Sequence, residues 1–139
     1  MINEIIPMVD STYRTIAEQP QRAIAGFSMG SHQALQVGLA HLDVFSHIGA
    51  FSPAPNLDFD VNTYYGGVLA EVDEFNRNVS LFFYGVGTAE RNIQASGKNI
   101  VEKLHKAGIG IVYREWPGLS HEWRLWRRCL HAYAQLLFH

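Results

Sequence analysis

At 139 residues, 47% hydrophobic and 17% charged, the chain has the composition of a globular protein and the length of one domain with a sizeable core. A net charge of -2 excludes a polybasic surface for nucleic acid or anionic membrane, since either requires clustered Lys and Arg. No apolar run approaches the roughly eighteen residues of a membrane span. The single cysteine, Cys129, excludes an intrachain disulfide and a multi-cysteine metal site. The N-terminus has no basic stretch followed by a long apolar one, so it does not read as a signal peptide and a cytoplasmic location is the default expectation.

In chain order, residues 2–17 carry Ile2, Ile5, Ile6, Val9, Tyr13 and Ile16 at three- and four-residue steps, the period of an amphipathic helix. Pro7 falls in its first turns, where proline is tolerated, and Gln19-Pro20 ends it. Residues 22–27 form a short apolar run that suits a buried strand, and residues 29–41 have the small and apolar side chains of a helix packed on a sheet. A second strand is expected over 45–51. A long Pro-, Asn- and Asp-rich connection follows over 52–77, with one short helix at 68–75. Residues 79–84 read as a third strand closed by Gly85 and Gly87, and 92–107 as a helix stopped by Gly108. A fourth strand over 109–115 and a last helix over 122–138 complete the pattern. Arg124, Arg127 and Arg128 lie at helical spacing on that last helix and read as a solvated face.

Strands alternating with helices of this length predict an α/β fold, with about four parallel strands flanked by helices in a single domain spanning 1–139. In such sheets ligands bind beyond the carboxyl ends of the strands. Three segments with chemical potential fall there. Gly26-Phe27-Ser28-Met29-Gly30 matches G-x-S-x-G between a strand and a helix, the context in which a sharp turn lifts a serine above the sheet. The glycines should relieve collisions two residues to either side of Ser28, and the Met29 N–H at the helix start is positioned as an oxyanion donor. A serine hydroxyl needs a base. Of the seven histidines, His32, His41, His47, His105, His131 and His139 suit surface or packing roles. His121 instead follows Pro117-Gly-Leu-Ser in the loop after the last strand, where such folds carry their base.

A carboxylate should orient His121. Glu90, just past the third strand, gives the chain order Ser, acid, His. Asp58, Asp60, Asp73, Glu74 and Glu115 are alternatives, and Glu90 could instead serve the following helix as a favourable N-terminal charge. Phe27, Ser52, Asn56 and Trp123 border the same edge as candidate substrate contacts, although a Trp on a terminal helix, as Trp123 and Trp126 are, is more often core.

Four segments, RAIAGFSMG at 22–30, GAFSPAPN at 49–56, GVGT at 85–88 and PGLSHEWRLW at 117–126, together resemble the esterase D-like α/β-hydrolases, which include feruloyl and acetylxylan esterases of the first carbohydrate-esterase family. The resemblance implies Ser28 as nucleophile, His121 as base and an acid at position 90, with no metal or organic cofactor. It implies a serine carboxylesterase acting on short acyl, acetyl or feruloyl esters, small or on polysaccharide. Acyl transfer or thioester hydrolysis, as in S-formylglutathione hydrolases, is an enzymatic alternative; an impaired hydrolase serving as a binding or assembly module is a non-enzymatic one. The chain departs from the family in having Glu rather than Asp at 90, and Ser31 where a second glycine often follows the elbow. The 117–121 loop is a residue longer than usual. The matched segments correspond to the nucleophile-bearing, C-terminal half of the complete fold. The first strand is therefore expected to leave an open edge that pairs with a second copy or a complementary chain.

Overall fold

A computed structural model describes residues 1–138; His139, expected in a surface or packing role, lies outside them. The chain runs α1 (Ile5–Thr12), β1 (Ala23–Phe27), α2 (Met29–Ala40), β2 (His47–Phe51), α3 (Val72–Asn78), β3 (Leu81–Gly87), α4 (Arg91–Ala107), β4 (Val112–Trp116) and α5 (Trp123–Ala134), with short 3-10 turns at Gln19–Gln21 and Tyr64–Gly67. The four strands form one parallel sheet in sequential order, β1-β2-β3-β4. β2 and β3 are buried along their whole length, whereas β1 and β4 are only half-buried, as befits edges.

Alternation along the strands divides the core in two. Ile48, Ala50, Phe82, Tyr84 and Val86 face α2, α3 and α4, meeting Leu35, Leu39, Phe75, Ile100 and Leu104. Phe51, Leu81 and Phe83 point the other way, against Leu125, Cys129 and Tyr133 of α5. Burial pushes the Cys129 thiol up to about 12, so this cysteine is a packing residue and no nucleophile. His47 is likewise core: it is buried beside the Ser46 hydroxyl, 2.7 Å from its Nδ1, and burial holds it below the ordinary histidine range. His32, His105 and His131 lie at the surface and His41 is half-buried at the end of α2.

The element pattern follows the expected one, with informative shifts. The first helix covers only Ile5–Thr12 rather than 2–17, and none of its residues is buried. The Ser11 and Thr12 hydroxyls both donate to the Met8 carbonyl, a local alternative that ends the helix. An ion pair between Asp10 and Arg22 ties it to the start of β1. The short helix of the long connection lies at Val72–Asn78 instead of 68–75, because Tyr65, Gly66 and Gly67 all take positive φ and break the chain just before it. β3 runs on to Gly87, so Gly85 and Gly87 belong to the strand. A Cβ at Gly85 would meet Cys129 Sγ at 2.9 Å, and one at Gly87 would meet the Leu119 carbonyl oxygen at 2.1 Å. These glycines mark close approach rather than a stop. β4 begins three residues later than expected, at Val112, and α5 ends at Ala134. Gly108 closes α4 in the left-handed conformation, as anticipated.

Candidate active site

The turn from β1 into α2 concentrates backbone strain at one residue. Ser28 has φ 54° and ψ -119°, a conformation that L-residues avoid and that typically costs about 1–3 kcal/mol. Hydrogen bonds over-determine it: the Ser28 N–H donates to the Phe51 carbonyl at 2.9 Å, and its own carbonyl accepts from the Ser31 N–H at 3.1 Å and the Ser31 hydroxyl at 2.6 Å. Ser31 is completely buried; its hydroxyl is the gain from having serine where a second glycine often stands.

The two motif glycines are not equivalent. A Cβ at Gly26 would lie 2.0 Å from the Gly30 carbonyl oxygen, an impossible contact with backbone. At Gly30 a Cβ would meet nothing within 4 Å, so the expected collision on that side is absent. Gly26→Ala is expected to cost about 3 kcal/mol and to lower the thermal midpoint by about 10 °C, with Gly30→Ala near neutral. Scanning calorimetry on the pair checks this.

Beyond β3 and β4 two loops are stitched together. The Ala89 N–H donates to the Leu119 carbonyl at 3.0 Å and the Gly118 N–H to the Thr88 hydroxyl at 2.8 Å. Gly118 turns at φ 71°. The stitching brings Glu90 beneath His121, whose Nδ1 lies 2.6 Å from Glu90 Oε1, while His121 Nε2 lies 2.8 Å from Ser28 Oγ. Thus Ser28, His121 and Glu90, from three separate loops, form one continuous line. Glu90 stands at the N-cap position of α4 but makes no side-chain cap hydrogen bond there; its carboxylate is turned to His121 instead. The longer arm of Glu is anchored at its far oxygen: Oε2 accepts from the Ser52 hydroxyl at 2.8 Å and the Gly87 N–H at 2.9 Å. The carboxylate side chain is only 2% exposed, and a buried carboxylate needs such donors. Among the alternatives, Glu115 is engaged elsewhere, with Tyr113, Gln94 and Lys98.

Of the candidate substrate contacts, Ser52 is a correction. It is wholly buried, with φ 47°, and its hydroxyl turns inward to Glu90. Asn56 is another: it lines a separate cavity of about 520 Å³ between α2 and the long connection, walled by Tyr64, Tyr65 and Tyr84. Its backbone N–H is held by Ser96 Oγ, and its side-chain oxygen by the Tyr64 hydroxyl at 2.9 Å. Phe27, Met29 and Trp123 do line the groove of about 700 Å³ onto which Ser28 and His121 open. Trp123 is 71% exposed, not core, and Arg127, otherwise on a solvated face, reaches the same groove. Reading the residues alone missed the anchoring of Glu90 by Ser52 and Gly87. The available signal was that Ser52 follows β2 and Gly87 ends β3, the neighbouring strand.

The family model Esterase, described as "Putative esterase", matches residues 1–136; the chain belongs to this esterase family. It is 32% identical over 138 residues to an endo-1,4-beta-xylanase/feruloyl esterase of Xylanibacter ruminicola, covering 99% of this chain and 17% of that protein. It superposes on a ferulic acid esterase of Anaeromyces mucronatus, solved in complex with ferulic acid, with a TM-score of 0.78 and 25% identity over 99% of this chain and 52% of the other. An S-formylglutathione hydrolase of Staphylococcus aureus shares the fold, with a TM-score of 0.71 and 16% identity over 96% of this chain and 61% of that one. The chain thus spans about half the length of the solved ferulic acid esterase. The sheet is the α/β-hydrolase sheet, represented by four of its parallel strands.

Proposed function

We propose that this chain carries the chemistry of a serine carboxylesterase, with Ser28 as nucleophile, His121 as general base and Glu90 as the carboxylate that orients it. The observation that carries the reading is the unbroken hydrogen-bonded line from Ser28 Oγ through both imidazole nitrogens to Glu90, at 2.8 and 2.6 Å. In the reaction, Ser28 Oγ bonds to the ester carbonyl carbon as its proton passes to His121 Nε2. The carbonyl oxygen becomes an oxyanion facing the Met29 N–H, which sits at the first position of α2 and has no carbonyl one turn earlier in the helix to bond. The C–O bond to the alcohol breaks and the alcohol leaves with the proton from His121. Water then repeats the sequence, releasing the acid and restoring Ser28.

Two relatives carry feruloyl or ferulic acid esterase in their names, and this supports feruloyl or other short acyl esters, on small molecules or on polysaccharide, as substrates. A panel of methyl ferulate, p-nitrophenyl acetate and S-formylglutathione tests the assignment. Turnover of the oxygen esters at least about tenfold above the thioester is expected; thioester preference would contradict it.

The outer edge of β1 has no strand beside it among the described residues. Ala25 at its centre is exposed. This supports pairing of β1 with a further strand, from a second copy or a complementary chain. Sedimentation is expected to show a species larger than one chain, and a monodisperse monomer would count against the pairing.

A further inference from the structure

We infer that Phe27 and Trp126 are positioning residues for His121, forming an aromatic seat that fixes the imidazole plane and stabilises its protonated form; this inference rests on the esterase reading. The His121 side chain is 42% exposed. Its two hydrogen bonds, to Glu90 and Ser28, both lie along the ring and leave it free to tilt about the line joining them. One flank removes that freedom. The Phe27 ring sits 4.6 Å from the imidazole centroid at 45°, and Trp126 packs on Phe27 while meeting the imidazole edge-on at 6.1 Å and 80°. Trp123 closes the row behind Trp126 at 4.5 Å.

The indole of Trp126 is held there although its buried N–H finds no hydrogen-bond partner among the described residues. What that ring gains in place of a hydrogen bond is its tilted packing between Phe27 and Trp123. When His121 takes the serine proton, the new positive charge develops 4.6 Å from the centre of the Phe27 ring, within the distance at which an aromatic ring attracts a cation. The charged groups around it are few. Glu90 comes from the loop after β3, and Glu122 is engaged by Arg124 at 3.1 Å. Arg127 lines the same groove. Glu90 therefore supplies the counter-charge, and the aromatic flank adds to it from a direction that the carboxylate does not cover.

The test is the rate at which a fluorophosphonate probe labels Ser28, followed across pH in the wild type, Phe27→Leu and Phe27→Tyr. Leu preserves apolar cover but has no π-face. Phe27→Leu is expected to label about fivefold more slowly at the plateau, with the acid limb of the profile about half a pH unit lower. The direction follows from the loss of a contact that favours the protonated ring. Phe27→Tyr, which restores the face, is expected to return both to within about twofold of wild type. A Phe27→Leu profile that is slower but unshifted would reduce Phe27 to packing and overturn the inference, as would a profile identical to wild type. If Phe27→Leu does not fold by circular dichroism, Phe27→Met, which also keeps apolar cover without an aromatic ring, is read in the same way and by the same two criteria. Failure of the wild type itself to label would overturn the esterase reading along with this one, whereas a labelled wild type with an unshifted variant sinks the aromatic seat alone.

Discussion

Replacing Ser28 by alanine is expected to lower ester turnover about 10⁴- to 10⁶-fold while leaving the thermal midpoint within about 2 °C of wild type. The two halves of this expectation have different origins. Loss of activity follows because, among the described residues, the hydroxyl is the group in the groove poised 2.8 Å from an imidazole nitrogen whose partner nitrogen is held by a carboxylate. Stability is preserved because Ser28 contributes its backbone, not its side chain, to the fold. Its N–H and carbonyl bind Phe51 and Ser31, and alanine suffers the positive φ no more than serine does. Retention of more than about 1% of turnover would remove Ser28 from the mechanism. Steady-state kinetics and calorimetry on the same preparation separate the two.

Glu90→Gln is expected to cost about 10⁴-fold in kcat, more than the loss of one negative charge would suggest, because the neighbours dictate which way the amide must face. The Gly87 N–H can only donate, and it points at the position of Oε2 together with the Ser52 hydroxyl. The amide oxygen must take that place. The amide NH2 is then left facing His121 Nδ1 and donates to it, so the ring carries its proton on Nε2, the nitrogen that should accept from Ser28. Geometry survives and the tautomer is wrong. Adding Ser52→Ala does not relieve this, since Gly87 alone enforces the orientation. A Glu90→Gln enzyme within tenfold of wild type would show that His121 needs no carboxylate in this protein.

Much of this architecture was legible in the residues because periodicity and turn chemistry agreed. The apolar run before Gly26-Phe27-Ser28 and the small-residue helix after it make β1 and α2, with boundaries displaced by one residue at each outer end. Gly108 marks the end of α4 because a left-handed cap has few other solutions. The elements that shifted are those in which a contact distant in sequence decides. Gly85 and Gly87 look like punctuation, yet they continue β3 because α5 and the 117–121 loop press against them. The isoleucines near the N-terminus repeat at helical steps, but with no buried face the period alone does not sustain a helix through residue 17.

The site divides in the same way. Ser28 and His121 are recognisable from local motifs. Glu90 is preferred among six carboxylates by the chain order Ser, acid, His, and the loop stitching sets it under the imidazole. Ser52 looked like a substrate contact because it ends a strand at the right edge. Its positive φ, invisible in sequence, turns the hydroxyl inward to Glu90. Asn56, three residues past Pro53, is drawn into the tyrosine-walled cavity by Tyr64 and Ser96.

The most direct test of the account is where a fluorophosphonate bonds. Peptide mass mapping of the treated chain should find a single phosphonyl adduct on the peptide containing Ser28, absent when His121 is replaced by alanine. An adduct on any other residue, or an unmodified chain under conditions that label a known serine esterase to completion, would contradict it.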